Sequence, residues 1–146
     1  MGIVIREAAA ADREAWAALR HALWPDCPPE RHRLEIDELV AGDGIVALAW
    51  AGGEIVGFAE VSIRRDHVEG TSEVPVPYLE GWFVAPAHRG RGVGRALLEF
   101  AWDWARSKGY REMASDAELE NSESIRAHVR LGFAEIERTV HFVKRL

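Results

Sequence analysis

The stretch His88-Arg89-Gly90-Arg91-Gly92-Val93-Gly94-Arg95 decides the fold. An apolar run, Tyr78-Leu79-Glu80-Gly81-Trp82-Phe83-Val84, precedes it, and a helical pattern follows it. Strand, glycine-rich arginine loop and helix start together make a seat for phosphate. The three glycines carry no side chains, so backbone N–H groups can approach an anion. The helix N-terminus adds partial positive charge and the arginines add full charges. No Lys-Ser/Thr pair follows the glycines, so this is not a Walker loop. A dinucleotide fingerprint fits poorly as well, because the last spacing of Gly90-x-Gly92-x-Gly94 is wrong for it. A plain solvated surface loop is the bland alternative, and the position between strand and helix counts against it.

Upstream, residues 2–7 read as a first strand. Asp12 is placed to cap a helix whose stripe is Trp16, Leu19 and Leu23, and Pro25, Pro28 and Pro29 break it. A second helix turns Ile36, Leu39 and Val40 inward, with Gly42 near its end. Residues 44–51 form an apolar strand, Gly52-Gly53 is a two-residue hairpin signal, and Glu54 to Arg64 returns as its partner. Arg65 to Pro77 reads as a loop. Downstream, Val93, Leu97, Phe100 and Trp104 share one helix face, and Lys108-Gly109 ends that helix. Tyr110 to Ser115 is a strand. Asn121 caps a helix with Ile125 and Val129 to Leu131, closed by Gly132, and Phe133 to Val143 supplies the last strand or strands. The order is β-α-α-β-β-β-α-β-α-β, with no repeat, low-complexity tract or internal linker.

Composition narrows the function. The 146 residues are expected to form one domain, 1–146. Hydrophobic residues are 48% and charged residues 29%, which argues against disorder. No apolar run has the length of a membrane span, and the N-terminus lacks a signal peptide's layout. One cysteine, Cys27, excludes an internal disulfide and fits a reducing cytoplasm. Nothing beside it activates the thiol. A formal charge of −6 disfavours nucleic acid and suits a cationic partner. Charge is also segregated: residues 88–95 hold three arginines and no acid, and residues 116–123 hold four acids and no base.

The segment Arg89 to Gly94 matches Arg/Gln-x-x-Gly-x-Gly/Ala and resembles the acetyl-CoA pyrophosphate loop of the GCN5-related N-acetyltransferases. Four further pieces resemble the shorter aminoglycoside 6′-N-acetyltransferases. They are Leu23-Trp24-Pro25; Gly57 to Arg64; Leu79-Glu80-Gly81 running into Trp82-Phe83-Val84; and Met113 to Asp116 with Glu120-Asn121, His128 and Leu131-Gly132-Phe133. The resemblance implies an α/β (α+β) fold with a mixed, mostly antiparallel sheet of six to seven strands flanked by four helices. It also implies a cleft where two strands splay, acetyl-CoA as cosubstrate without a metal, and a dimer through the C-terminal strands.

Transfer of acetyl to an amine needs a group that takes the ammonium proton, and a carboxylate can do so directly or through a water. Glu80 and Asp116 sit where the two strands would reach the cleft and are the candidate catalytic acids. By resemblance, Trp24, His67 and Glu137 join them at the acceptor. Trp82, Phe83 and Val84 would line the pantetheine, with a backbone N–H near Phe83 for the oxyanion. Arg89, Gly90, Arg91, Gly92, Val93, Gly94 and Arg95 would hold the diphosphate, and Asn121 the pantetheine. His128 stands near the place where many relatives carry a tyrosine that protonates the leaving thiolate; a thiol leaves readily by itself, and His128 is given no catalytic role. Two rivals stay open: the same chemistry on a polyamine, peptide or protein amine, and a non-catalytic acyl-CoA sensor.

Overall fold

A computed structural model describes residues 2–146. The elements are β1 (Val4–Glu7), a 3-10 turn (Ala10–Asp12), α1 (Arg13–Leu23), α2 (Pro29–Ala41), β2 (Ile45–Ala51), β3 (Glu54–Arg64) and β4 (Val76–Val84). A second 3-10 turn (Pro86–His88), α3 (Val93–Ser107), β5 (Ala114–Ser115) and α4 (Ser122–Arg130) follow. The five strands form one sheet in the order β1-β2-β3-β4-β5. All neighbours are antiparallel except β4 and β5.

Strand β2 reads as a continuous apolar run because helices cover both of its faces. Ile45, Ala47 and Ala49 face α3, where Leu97, Leu98 and Ala101 complete one core. Val46 and Leu48 face the other way, onto Trp16 of α1, Ile36 of α2 and Phe58 of β3. The Gly52-Gly53 turn has positive φ at both residues, 56° and 84°, and joins Ala51 to Glu54 in register, as its sequence requires. At the end of α3, Gly109 (φ 88°) takes the left-handed position beyond Lys108.

Several expectations change. The sheet has five strands among the described residues, not six or seven. Residues 134–146 form no ladder, because no strand lies alongside to accept their hydrogen bonds; they run exposed past α4. Strand β4 begins earlier, at Val76, and β5 is only Ala114–Ser115. Val40, expected inward, is exposed. Asp12 does not cap α1 with its side chain. Its carboxylate takes the Ala9 N–H at 2.7 Å and a two-pronged bond from Arg6, which pins β1 to the turn before the helix.

Candidate active site

The site begins with an irregularity in β4. Glu60 pairs with Gly81 and Val61 with Leu79, so Glu80 is an extra residue bulged out of the ladder. The bulge reverses which face each side chain takes. Leu79 packs in the core under α3, and so do Trp82 and Val84, whereas Phe83 joins the α1 side. Both Glu80 and Gly81 therefore present to the α1 side. Glu80 supplies a carboxylate there, and Gly81 supplies space. A Cβ on Gly81 would lie 2.5 Å from Cη2 of Trp24, so the indole occupies the room that the missing side chain leaves.

Trp24, Pro25, Cys27, Glu60 and Glu80 line a cleft of about 550 Å³ at this point. Glu80 is held by Ser62 and by a two-pronged bond from Arg64, at 2.7 and 3.0 Å. The Arg64 guanidinium lies 3.4 Å above the Tyr78 ring, and the Tyr78 hydroxyl donates to Asp116 at 2.5 Å. The two acids expected from the sequence are thus brought into one cluster, linked through Arg64 and Tyr78. Burial and the bond to Asp116 push the Tyr78 phenol above its ordinary value.

Strand β4 pairs with β5 at Tyr78–Ala114 and Leu79–Ser115; among the described residues, no strand lies beside its far side beyond Leu79. This is the splay implied by resemblance. Two bonds fix the direction of the backbone there. Ala85 N–H donates to Val56 O of β3 at 2.8 Å, and the Val84 carbonyl faces away from β3, accepting Arg89 Nε at 2.7 Å. By strand alternation Trp82 and Val84 offer their backbone groups to the open side, and Phe83 turns toward β3. Next to Phe83, near which the sequence placed a donor, the backbone N–H groups facing the open side are therefore those of Trp82 and Val84.

The arginine loop follows as the sequence indicated. Gly90 (φ 76°) and Gly92 (φ 81°) take left-handed conformations, and α3 starts at Val93 without a side-chain cap or an acid in its first turn. The first N–H groups of the helix are left for an anion. Arg91 and Arg95 stand exposed beside them. Gly94 is needed for another reason: the Trp82 indole lies across it, 3.2 Å from where a Cβ would be, and donates to the Gly94 carbonyl at 3.2 Å. An open strand edge and an uncapped, arginine-flanked helix start fit a long molecule with a pantetheine arm and a diphosphate.

The family profile of "Acetyltransferase (GNAT) family" matches residues 10–133. The chain belongs to the GNAT acetyltransferase family. It is similar to the aminoglycoside N(6′)-acetyltransferase type 1 of Stenotrophomonas maltophilia, 49% identical over 94% of this chain and 90% of the relative. It is also similar to the protein of that name from Salmonella typhimurium, 43% identical over 89% and 90%. Among solved structures it resembles AAC(6′)-Iy in complex with the bisubstrate analog CoA-S-monomethyl-acetylneamine, with a TM-score of 0.92, 40% identity and full coverage of both chains. The GNAT fold, seen here with its sheet and four helices, agrees with that expected from the sequence.

The other candidate residues of this GNAT chain are placed less tightly. Asn121 caps α4, its Oδ1 accepting the Ser124 N–H at 3.0 Å, and its amide NH2 remains a donor. His67 is exposed beside Glu69. Glu137 lies on the exposed arm, which passes the same loop, with Ile136 against Gly70. His128 stands at the splay, edge-on to Trp82, with Nε2 2.8 Å from the Ser115 hydroxyl. Its Nδ1 lies 2.7 Å from the Ser124 carbonyl, so the proton sits on Nδ1 and the imidazole accepts from Ser115. Sequence reasoning missed Ser62, Arg64 and Tyr78. The only signal for them was period two: they share a sheet face with Glu60 and Glu80, but the bulge that completes this face leaves no mark in residue types.

Proposed function

We propose that this protein transfers acetyl from acetyl-CoA to the 6′-amine of an aminoglycoside, directly and without an acyl-enzyme. The observation that carries the reading is the bulge, which sets the Glu80 carboxylate in a cleft beside the open edge of β4. Acids there attract a polycationic amine, and each charge-assisted hydrogen bond contributes roughly 1.5–3 kcal/mol. The names of relatives at 38–49% identity supply the acceptor class.

Acetyl-CoA supplies the thioester that the amine attacks. The chain's residues do the rest. Arg91, Arg95 and the N–H groups at the start of α3 hold the diphosphate, with Gly90, Gly92 and Gly94 keeping the approach clear. Backbone groups of Trp82 and Val84 pair with the pantetheine arm, and Asn121 bonds it from α4. An N–H on this edge stabilises the oxygen as the carbonyl becomes tetrahedral. Glu80 and Asp116 bind the acceptor's ammonium groups, and one of them takes the proton that must leave before the nitrogen can attack. Trp24 walls the acceptor, and His67 and Glu137 bound it from the loop and the arm. The reaction belongs in the cytoplasm, where acetyl-CoA is made available.

We further propose a homodimer. The arm carries Ile136, Val140, Phe142 and Val143 in exposed positions, with Phe142 91% exposed. Among the described residues, strand β5 has only β4 beside it in the sheet. The arm of a second copy suits that edge.

The test is thiol release from acetyl-CoA across a panel of amines, with mass spectrometry and NMR of the product. Acetylation at the 6′ position of kanamycin or tobramycin is the expected result. Activity confined to spermidine or peptide amines overturns the acceptor, and CoA binding without thiol release on any amine overturns catalysis.

A further inference from the structure

The acceptor cleft is backed by a charged network that neither the transfer chemistry nor stability explains. Glu60 is 1%, His32 1% and Arg20 3% exposed. Arg20 spends its whole fork inside the protein. Nε donates to Glu60 Oε2 at 2.9 Å, Nη1 to the His32 carbonyl at 3.2 Å, and Nη2 to Glu35 Oε1 at 2.9 Å. Trp16 Nε1 adds a second bond to Glu60 Oε2 at 2.8 Å. A buried ion pair is poor evidence of stabilisation, because well-packed apolar residues of similar volume usually serve as well or better.

What the network touches is Trp24. The Arg20 guanidinium carbon lies 4.9 Å from the indole centroid. The His32 ring stacks on the indole at 6.5 Å and 22°. His32 Nδ1 faces Arg20 Nη1 at 3.3 Å, and arginine only donates, so the imidazole proton is on Nε2 and bonds the Trp24 carbonyl at 3.2 Å. Pro25 follows, Gly81 receives the far edge of the ring, and Phe58 lies 6.1 Å away. One guanidinium therefore ties α1, α2 and β3 together at the Trp24 indole, which fills the space over Gly81 at the β4 bulge.

We infer that the buried Glu60–Arg20 pair, with His32, is a positioning device that fixes the Trp24 indole in the Gly81 notch and so sets the wall of the acceptor cleft. This rests on the acceptor reading proposed above. Glu60, Arg20 and His32 are positioning residues that act through Trp24. Their loss is felt by the acceptor and spares acetyl-CoA, whose candidate groups lie on the other side of β4.

The test labels the protein with 5-fluorotryptophan, assigns the Trp24 signal through W24F, and records fluorine spectra of R20M/E60M beside the parent. The double substitution removes both charges together, so neither is left buried alone. The Trp24 signal is expected to shift or broaden while that of Trp82 holds. The KM for tobramycin should rise about tenfold or more, with the KM for acetyl-CoA unmoved. In a W24A background the same double substitution should change the tobramycin KM no further. E60Q, which keeps the side-chain shape, is measured in the same way in case the double variant fails to fold. An unmoved Trp24 signal in every folded variant overturns the inference. So does a KM rise as large in W24A as in the parent. If the parent acetylates no aminoglycoside, the acceptor reading has failed, and the fluorine spectra alone decide the positioning role.

Discussion

The Tyr78 hydroxyl donates to the Asp116 carboxylate at 2.5 Å, across the point where β4 and β5 part. Tyr78 is largely buried, and Asp116 stands at the exposed end of β5. The phenol therefore aims a carboxylate that the short strand alone leaves free to turn. Y78F removes this restraint and keeps the ring under Arg64. It should lower kcat/KM for an aminoglycoside about tenfold to a hundredfold, the scale of one charge-assisted bond, without changing the KM for acetyl-CoA. Steady-state thiol release with each substrate varied separately checks both halves.

Glu80 and Asp116 belong to one cluster through Arg64 and Tyr78, so their effects should not be independent. E80Q and D116N are each expected to reduce aminoglycoside turnover by about tenfold or more, and the double variant by less than the product of the two. E80Q also releases the Arg64 fork, which changes the charge around Asp116. Wild-type rates in both single variants, measured by the same assay, would remove the two acids from the site.

The arginine loop and the helix start that follows it were legible in the sequence, and the proposed acceptor side was only partly so. Gly90 and Gly92 announce positive φ, and an arginine loop between a strand and a helix has few other uses. The hairpin at Gly52-Gly53 and the ends of α3 are equally local, written in residues a few positions apart. Glu80 and Asp116 could be named from resemblance, but their partners could not. Arg64 and Tyr78 meet through the register of β3 on β4, and that register, like the bulge at Glu80, depends on pairing between strands, not on residue types. The network of Arg20, His32 and Glu60 escaped notice for a similar reason. Its members are polar residues that by type read as solvent-facing, and only the packing of α1 and α2 on β3 buries them. Phe133 to Val143 alternates as a strand does, yet alternation cannot say which edge, or whose, the segment joins.

Gly92 opens α3 at φ 81°, where a residue with a Cβ is strained by about 1–2 kcal/mol. G92A has to relieve this strain by turning the peptide planes that point N–H groups at the diphosphate. The KM for acetyl-CoA should rise several-fold, to about the tenfold that this energy allows, with the aminoglycoside KM unmoved. Raising the salt concentration should weaken CoA binding in the parent, since Arg91 and Arg95 are exposed charges. Titration calorimetry with CoA at two ionic strengths measures both effects.

Burial, and then the adjacent Arg20 charge, hold the His32 imidazole below its ordinary pKa. The folded protein therefore keeps this ring neutral where the unfolded chain already protonates it. As pH falls below about 6.5, unfolding takes up a proton, and stability is lost until the folded pKa is reached. Glutamine can offer the same acceptor to Arg20 and the same donor to Trp24 without titrating. The melting temperature of the parent should fall more steeply than that of H32Q between about pH 7.5 and 5.5. Parallel curves would mean that His32 carries no such proton linkage.

The arm gives the proposed dimer a direct test. Val140, Phe142 and Val143 are exposed, and a cavity lined by Trp102, Tyr110, Met113 and Phe133 lies between α3, the segment leading into β5 and the residues after α4. An apolar segment beside an unpaired strand edge is a template for pairing with another chain. A charge placed within such a pairing has to be desolvated, which costs several kcal/mol when it is unpartnered. F142D should therefore convert a dimer to a monomer at micromolar concentration while the fold, read by circular dichroism, persists. Sedimentation velocity of parent and variant measures this. If Glu137 reaches a partner's cleft, monomer formation should also raise the aminoglycoside KM and leave that for acetyl-CoA alone; a monomer with parental KM values would assign the arm to association only.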